Sequence, residues 1–184
     1  TTEVHKLPST ILSRCQRFDF KRIEPESIAE RLKEVATKEN LTLNDDGAML
    51  IARIADGALR DALSILDRLN EISNNNAISF DHLSKMLQQS AATMRILGNN
   101  LDETLGLLTA GYEVLQNDKV AKGIQTIGLR IAGLNEDLST AEGLANDVSK
   151  ALEKYANVSV WDETTGQLKN TYQILSEVAE KWNE

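Results

Sequence analysis

The chain has 184 residues, of which 41% are hydrophobic, 26% are charged and only 4% are aromatic, and its formal net charge is −8. This composition excludes an intrinsically disordered chain and favours a globular domain whose core is built from Leu, Ile, Val and Ala. The acidic excess argues against broad nucleic-acid binding, which needs clustered Lys and Arg. We predict a mainly α fold of one or more helical bundles, with at most one or two short β segments near residues 16–23 and 158–166.

The residues that could hold a metal or form a disulfide are few. Cys15 is the one cysteine, so it cannot form an internal disulfide, and with His5 and His82 it does not have the spacing of metal ligands. No apolar run approaches the ~18 residues of a membrane-spanning helix, and the polar N-terminus does not resemble a secretion signal. We therefore predict a cytoplasmic protein with no metal, no cofactor and no membrane partner.

The N-terminal segment combines a short helix signal with a strand signal. Pro8 lies where a helix can begin. From Gln16 to Ile23, Phe18 and Phe20 alternate with polar neighbours, which is typical of a short strand. Pro25 then occupies a plausible first position of the next helix.

Residues 24–80 have the pattern of a compact three-helix unit. The first helix follows Pro25, and Asn44 with the acidic residues after it marks the start of the second. Gly57 interrupts the periodic run before the third helix, and an Asn-rich loop ends the unit. Apolar residues recur at helical spacing in each helix; they are Ile28, Leu32, Val35 and Ala36, then Leu50, Ile51, Ile54 and Ala55, then Leu59, Leu63, Leu66 and Ile72.

Residues 81–184 read as a further helical segment. Ser79 is a candidate N-cap for a helix with the apolar stripe Leu83, Met86, Leu87, Ala91, Met94 and Leu97. Later stripes are Leu101, Leu105, Leu108, Tyr112 and Leu115, then Val120, Ile124, Ile127 and Ile131, then Leu144, Val148, Leu152 and Tyr155. The helical period breaks at Val158–Gly166, which predicts an extended segment or hairpin, and a last helix starts at Thr171.

Two motifs in the first part of the chain occur in an order that is specific. HKLPSTILSRCQRFDFKRI at residues 5–23 precedes GALRDALSILDRL at residues 57–69. This stretch resembles the gamma/tau subunit of the bacterial DNA polymerase III clamp loader, an AAA+ ATPase, over about residues 1–72. The resemblance implies that residues 1–23 are a remnant of the AAA+ core and that residues 24–80 correspond to the helical lid domain.

The same resemblance implies roles for three side chains. Arg14 would be the arginine finger that acts in trans, Arg60 the phosphate-facing arginine of sensor 2, and Thr2 (or Thr1) the sensor 1 residue. An arginine fork stabilises charge on a transferring phosphoryl group. The sequence contains no G-x-x-x-x-G-K-[ST] and no Walker-B run, so we predict no ATPase activity. The alternative interpretation is structural, with Arg14 at a helix end and Arg60 paired with Asp56.

The second part of the chain resembles the tape measure protein of long-tailed bacteriophages, over about residues 83–184. The stretches that carry this resemblance are LSKMLQQSAATMRILGNNLDETLGLLTAGYEVLQN, KGIQTIGLRIAG and LKNTYQILSEVAEKW. The family consists of very long helical chains that set tail length, and it implies nothing catalytic.

These observations lead to three hypotheses about function. The first is a non-enzymatic helical binding or structural module, composed of truncated clamp-loader and tape-measure fragments. The second is a regulator of clamp loading that docks on AAA+ subunits and presents Arg14 in trans. The third is a small acidic protein antagonist, such as a phage inhibitor or antitoxin. Each predicts a protein partner, namely a clamp-loader subunit or a phage or host protein, and none predicts a nucleic-acid ligand.

Overall fold

The computed structural model describes residues 6–16, 18, 20–135 and 144–182, except for the side chains of residues 144–146. Within these ranges the chain is mainly α-helical and has no regular strand, which confirms the predicted fold class. The helices are α1 (Ser9–Leu12), α2 (Pro25–Lys38), α3 (Asp45–Ile54), α4 (Leu59–Asn75), α5 (Phe80–Ile96), α6 (Leu101–Leu115), α7 (Lys119–Ala132), α8 (Leu144–Ala156) and α9 (Thr171–Trp182).

Side chains at the helix starts explain several of these boundaries. Pro25 is at the first position of α2, and the Asn44 carboxamide oxygen accepts the Gly47 N–H at 2.6 Å at the start of α3. Ser79 caps α5 in the same way. Asn100 and Glu103 form a reciprocal capping box at α6, in which each side chain accepts the other residue's N–H, at 2.9 and 2.8 Å. Local sequence therefore specifies where these helices begin.

One apolar core runs through α2 to α7. It contains buried residues from Ile28 in α2 to Leu129 in α7. Helix α5 lies at its centre, because it contacts α3 and α4 on one side and α6 and α7 on the other. Its Leu83, Met86 and Leu87 are almost completely inaccessible to solvent. Helix α5 thus joins the first and second parts of the chain through a shared core.

A second, smaller cluster packs around the C-terminal helices. Ile131, Val158, Val160 and Ile174 are buried together, with side chains of α8 and α9 against them. Between α8 and α9, residues 158–169 form a tight hairpin-like turn with an isolated antiparallel bridge from Trp161 to Leu168. The hairpin alternative predicted for 158–166 corresponds to this turn, although the described residues form no regular strand there.

The strand predicted over Gln16–Ile23 is not found in the described part of that segment. Its residues 16, 18 and 20–23 have no strand structure, and residues 17 and 19 lie outside the described ranges. A strand needs a neighbouring strand to pair its backbone groups. Here the described pairing is a single hydrogen bond from Ile23 N–H to the Gly57 carbonyl, at 3.2 Å. The alternation of Phe18 and Phe20 with polar residues therefore did not identify a strand in the described part of this segment.

Candidate functional site

The turn between α3 and α4 contains the predicted sensor 2 motif. Asp56 and Gly57 both have left-handed backbone conformations, with φ of 47° and 84°. These two residues reverse the chain before α4 starts at Leu59. A Cβ at Gly57 would lie 2.5 Å from the Cβ of Arg22, so a larger residue would be both strained and obstructed. Gly57 is therefore required by conformation and by space.

Arg22 fastens the N-terminal segment to this turn. Its guanidinium donates to the Asp56 carbonyl at 2.9 Å and forms an ion pair with the Asp56 carboxylate. Both side chains are more than two-thirds exposed, at 72% and 78%, so the pair stabilises the fold by little. Its consequence is geometric, because it holds Arg22 beside the turn that precedes α4.

Arg60 is in the first turn of α4 and is exposed. The alternative in which it pairs with Asp56 is not what the structure shows, because the Asp56 carboxylate is engaged by Arg22. Among the described residues Arg60 has no ion-pair partner. It borders a shallow depression lined by Leu59, Leu63, Ser64 and Asp67. A cation in the first turn of a helix is electrostatically unfavourable, so local stability does not explain this arginine.

Arg14 lies in the turn that follows α1, and its N–H donates to the Ile11 carbonyl at 3.0 Å. The residue is exposed, and its guanidinium pairs with none of the residues that the structure describes. The structure shows no contact between Arg14 and Arg60 within the described ranges. Thr2, the predicted sensor 1 residue, lies outside those ranges. The roles that the clamp-loader resemblance implies for these three residues stay predictions.

Around Arg14 the N-terminal segment exposes an unusual amount of apolar surface. Helix α1 contributes no buried residue. Phe18 is 70% exposed and Phe20 is 97% exposed, and Ile11, Leu12 and Ile23 are each at least 40% exposed. Sequence reasoning missed this surface because it assigned the two phenylalanines to a short strand. We call the described residues of this segment, 6–16, 18 and 20–24, the apolar arm.

No group of three or more potential metal ligands occurs in the described part of the chain. His82 instead contacts the Tyr112 hydroxyl through Nδ1, at 2.7 Å, with the rings edge to face. Cys15 is exposed as a free thiol. None of the helices in the described ranges is long and apolar enough to cross a membrane.

Comparison with known proteins identifies the class of the N-terminal helices. Residues 27–69, which span most of α2 to α4, match the family model of the DNA polymerase III clamp loader subunit, ATPase lid domain. The clamp-loader part of the resemblance is thereby supported. No solved structure matches the chain.

Individual relatives agree with this family match. The chain is 45% identical over 85 residues to DNA polymerase III subunit gamma/tau of Mycoplasma genitalium, which covers 46% of this chain and 14% of the relative. It is 48% identical over 75 residues to DNA polymerase III subunit tau of Bacillus subtilis, and this alignment covers 41% of this chain and 13% of the relative. It is 34% identical over 132 residues to DNA polymerase III subunit tau of Escherichia coli, and this alignment covers 68% of this chain and 19% of the relative. The chain thus spans less than a fifth of the length of each of these relatives.

The longer alignment bears on where the clamp-loader similarity ends. Since 68% of 184 residues is about 125 residues, an alignment of that extent necessarily includes residues on both sides of Phe80. The similarity to tau is therefore not confined to the first 80 residues. No comparison shows a tape-measure segment.

Proposed function

We propose that this chain is a non-enzymatic helical binding module, related to the clamp-loader lid, that associates with ATPase subunits of a clamp loader. The observation that carries the proposal is the match of residues 27–69 to the lid-domain family, on a segment that folds as the three helices α2, α3 and α4.

The apolar arm is the contact surface that we assign to this association. Large exposed apolar side chains, Phe above all, contribute strongly to interfaces when a partner buries them. Phe18 and Phe20 are the largest such side chains on the arm, and Arg22 anchors the arm beside them. The arm thus offers both the apolar area and a defined position.

Binding to the Bacillus subtilis tau subunit, measured by biolayer interferometry, tests the proposal. We expect the intact chain to form a complex. Phe18→Ala and Phe20→Ala together should weaken binding at least ~10-fold, because each change removes aromatic area that the partner buries in the complex. Val114→Ala with Leu115→Ala is the matched control, since those side chains are 81% and 67% exposed but lie at the end of α6. The absence of a complex with the intact chain, or equal loss in the control, would refute the assignment.

Arg14 supports a second candidate function, regulation of the ATPase in trans. Its guanidinium is exposed and unpaired among the described residues, as a group that must reach a nucleotide on another subunit has to be. We expect the intact chain to change the ATP hydrolysis rate of a clamp-loader subunit and Arg14→Ala to remove that change while preserving binding. Arg31→Ala, at an exposed arginine of α2, is the control. An Arg14→Ala variant with the full effect would eliminate this candidate.

The composite origin of the chain is a finer proposal. It rests on the resemblance of residues 83–184 to tape measure proteins, which no comparison supports. The extent of the alignment with Escherichia coli tau weighs against a boundary near Phe80. The acidic-antagonist hypothesis still rests on size and the net charge of −8, and no feature of the fold favours it.

A further inference from the structure

A cleft of about 610 Å³ lies where α3, α5 and the start of α6 meet. Its apolar wall includes Leu87 and Ala91, which with Arg95 follow one face of α5 at spacings of four residues. Arg53, in the last turn of α3, borders the same cleft. The cleft is within the size range of small-molecule sites and lies between helices of the lid-like unit and the helices that follow it.

The two arginines that line the cleft carry uncompensated charge. Neither Arg53 nor Arg95 has an ion-pair partner among the described residues. Each is in the last turn of a helix, where the helix dipole favours a cation, and this explains why each is tolerated alone. It does not explain why two such arginines from separate helices line a single cleft in a chain of net charge −8.

The carboxylates near the cleft are already engaged elsewhere. Asp56 itself lines the cleft, and its carboxylate pairs with Arg22, while Asp102 pairs with Arg68. Glu103 accepts the Asn100 N–H at 2.8 Å and the Asn170 carboxamide at 3.1 Å. Within the described ranges, none of these three acids forms an ion pair with Arg53 or Arg95.

At the start of α6 the capping box takes the Asn100 and Glu103 N–H groups, which leaves the N–H groups of Leu101 and Asp102 as the donors of this turn. Asn100 and Leu101 line the cleft, and Leu101 is the first residue of α6. The first backbone N–H groups of a helix have no partner within it and carry partial positive charge. Because Asp102 and Glu103 place negative charge in this turn, the two arginines supply the positive charge of the cleft.

We propose that this cleft binds a small phosphate monoester with an apolar body. Two guanidinium forks match the charge and the several acceptor oxygens of a phosphate group better than those of a carboxylate, which has one charge and two oxygens. Ile54, Leu87, Ala91 and Leu101 supply an apolar wall for the remainder of the ligand. This site is separate from Arg14 and Arg60 and does not depend on clamp-loader association.

Titration of the intact chain with phenyl phosphate, followed by the backbone amide resonances of α5 and the start of α6, tests the site. Inorganic phosphate lacks the apolar body, and benzoate replaces the phosphate by a carboxylate. We expect phenyl phosphate to bind more tightly than either, because it alone satisfies both parts of the cleft. Inorganic phosphate or benzoate binding equally well would overturn the assignment to a phosphate monoester with an apolar body.

Variants that each remove one arginine charge test whether phenyl phosphate binds in this cleft. Arg53→Gln and Arg95→Gln should each weaken phenyl phosphate binding about tenfold, because each removes charge-assisted hydrogen bonds to the anion. Arg130→Gln removes the same charge from an exposed position of α7 outside the cleft and should leave the affinity within about twofold. All three side chains are exposed, so the fold should persist. The absence of resonance changes at millimolar phenyl phosphate, or equal weakening by Arg130→Gln, would overturn the proposal.

Discussion

Two glycines of α6 have different surroundings although the sequence places both inside one helix. A Cβ at Gly111 would lie 2.6 Å from Cγ1 of Val120 in α7. A Cβ at Gly106 would meet its nearest neighbour, Cε2 of Tyr172, at 3.8 Å, which is ordinary contact. The absence of a side chain at Gly111 therefore permits close contact between α6 and α7, whereas Gly106 has room for a methyl group.

We therefore predict opposite effects of adding one methyl group at these positions. Gly111→Ala should lower the free energy of unfolding by about 1–3 kcal/mol, because the stiff Val120 side chain must move. Gly106→Ala should raise it by up to about 1 kcal/mol, because Ala has the higher helix propensity. Urea unfolding of the two variants measures both changes. A Gly111→Ala variant as stable as Gly106→Ala would contradict this account of the contact.

Asp162 is the residue whose titration the hairpin-like turn controls. The backbone N–H groups of Thr165 and Thr164 donate to its carboxylate, each at 2.8 Å, and hold the pKa of Asp162 below its usual value. A lowered folded-state pKa means that the contribution to stability is complete above the unfolded-state pKa and is lost as the pH falls through the folded-state pKa.

We predict an Asp162 carboxyl titration midpoint below that of an ordinary aspartate, measured by NMR of the side-chain carboxyl carbon. Asp162→Asn keeps an acceptor but cannot ionise, so it should remove this part of the acid dependence of stability. A midpoint at or above the ordinary value would show that the turn does not form as described.

At the scale of elements, Asn99 connects the α5–α6 turn to α9. It is 95% buried, its carboxamide donates to the Met94 carbonyl at 3.2 Å, and its oxygen accepts the Tyr172 N–H at 3.0 Å. Tyr172 is in the first turn of α9, where the backbone N–H groups have no acceptor within the helix. Asn99, which lies 73 positions earlier in the chain, supplies the acceptor for the Tyr172 N–H. Sequence pattern gave no indication of this contact because it depends on tertiary packing.

Asn99→Ala should therefore destabilise the protein by about 1–3 kcal/mol, because it removes a buried side chain that accepts the Tyr172 N–H. Hydrogen exchange should locate the loss, with faster exchange of the Tyr172 amide and the rest of the first turn of α9. Asn74→Ala, at an exposed position of α4, is the control and should change neither property. Unchanged protection of α9 in the Asn99 variant would exclude this connection.

The apolar stripes were predicted well for α5 and less well at helix ends. Leu83, Met86 and Leu87 are buried as predicted. Leu115, predicted as the last member of its stripe, is 67% exposed. Helical period identifies a face, but it does not show where the neighbouring helix ends and burial stops.

For the whole molecule, the continuous core determines how the two parts of the chain behave. Buried residues of α2 to α4 and of α6 to α7 belong to one cluster that is joined through α5. Removal of α5 would expose apolar surface on both sides at once. We infer that α2 to α7 unfold as one cooperative unit.

Limited proteolysis with thermolysin tests this inference. We expect the first cuts in the apolar arm, at Phe18 and Phe20, and no cut between Asn74 and Leu87 while the protein is native, because the apolar side chains at Ile78, Phe80, Leu83 and Met86 are buried. Early cleavage within that interval, with two separately stable fragments, would instead support independent pieces.

Sequence by itself determined the helical class, the starts of α2, α3, α5 and α6, and the reversal at Gly57, because proline geometry, capping side chains and left-handed backbone positions act over a few residues. It also identified Arg14 and Arg60 as candidates through a resemblance whose clamp-loader part the comparisons support. Tertiary structure alone decided that Phe18 and Phe20 of the apolar arm are exposed, that Asp56 pairs with Arg22, and that Arg53 and Arg95 line one cleft. These features join residues tens of positions apart, and their placement depends on how whole helices pack.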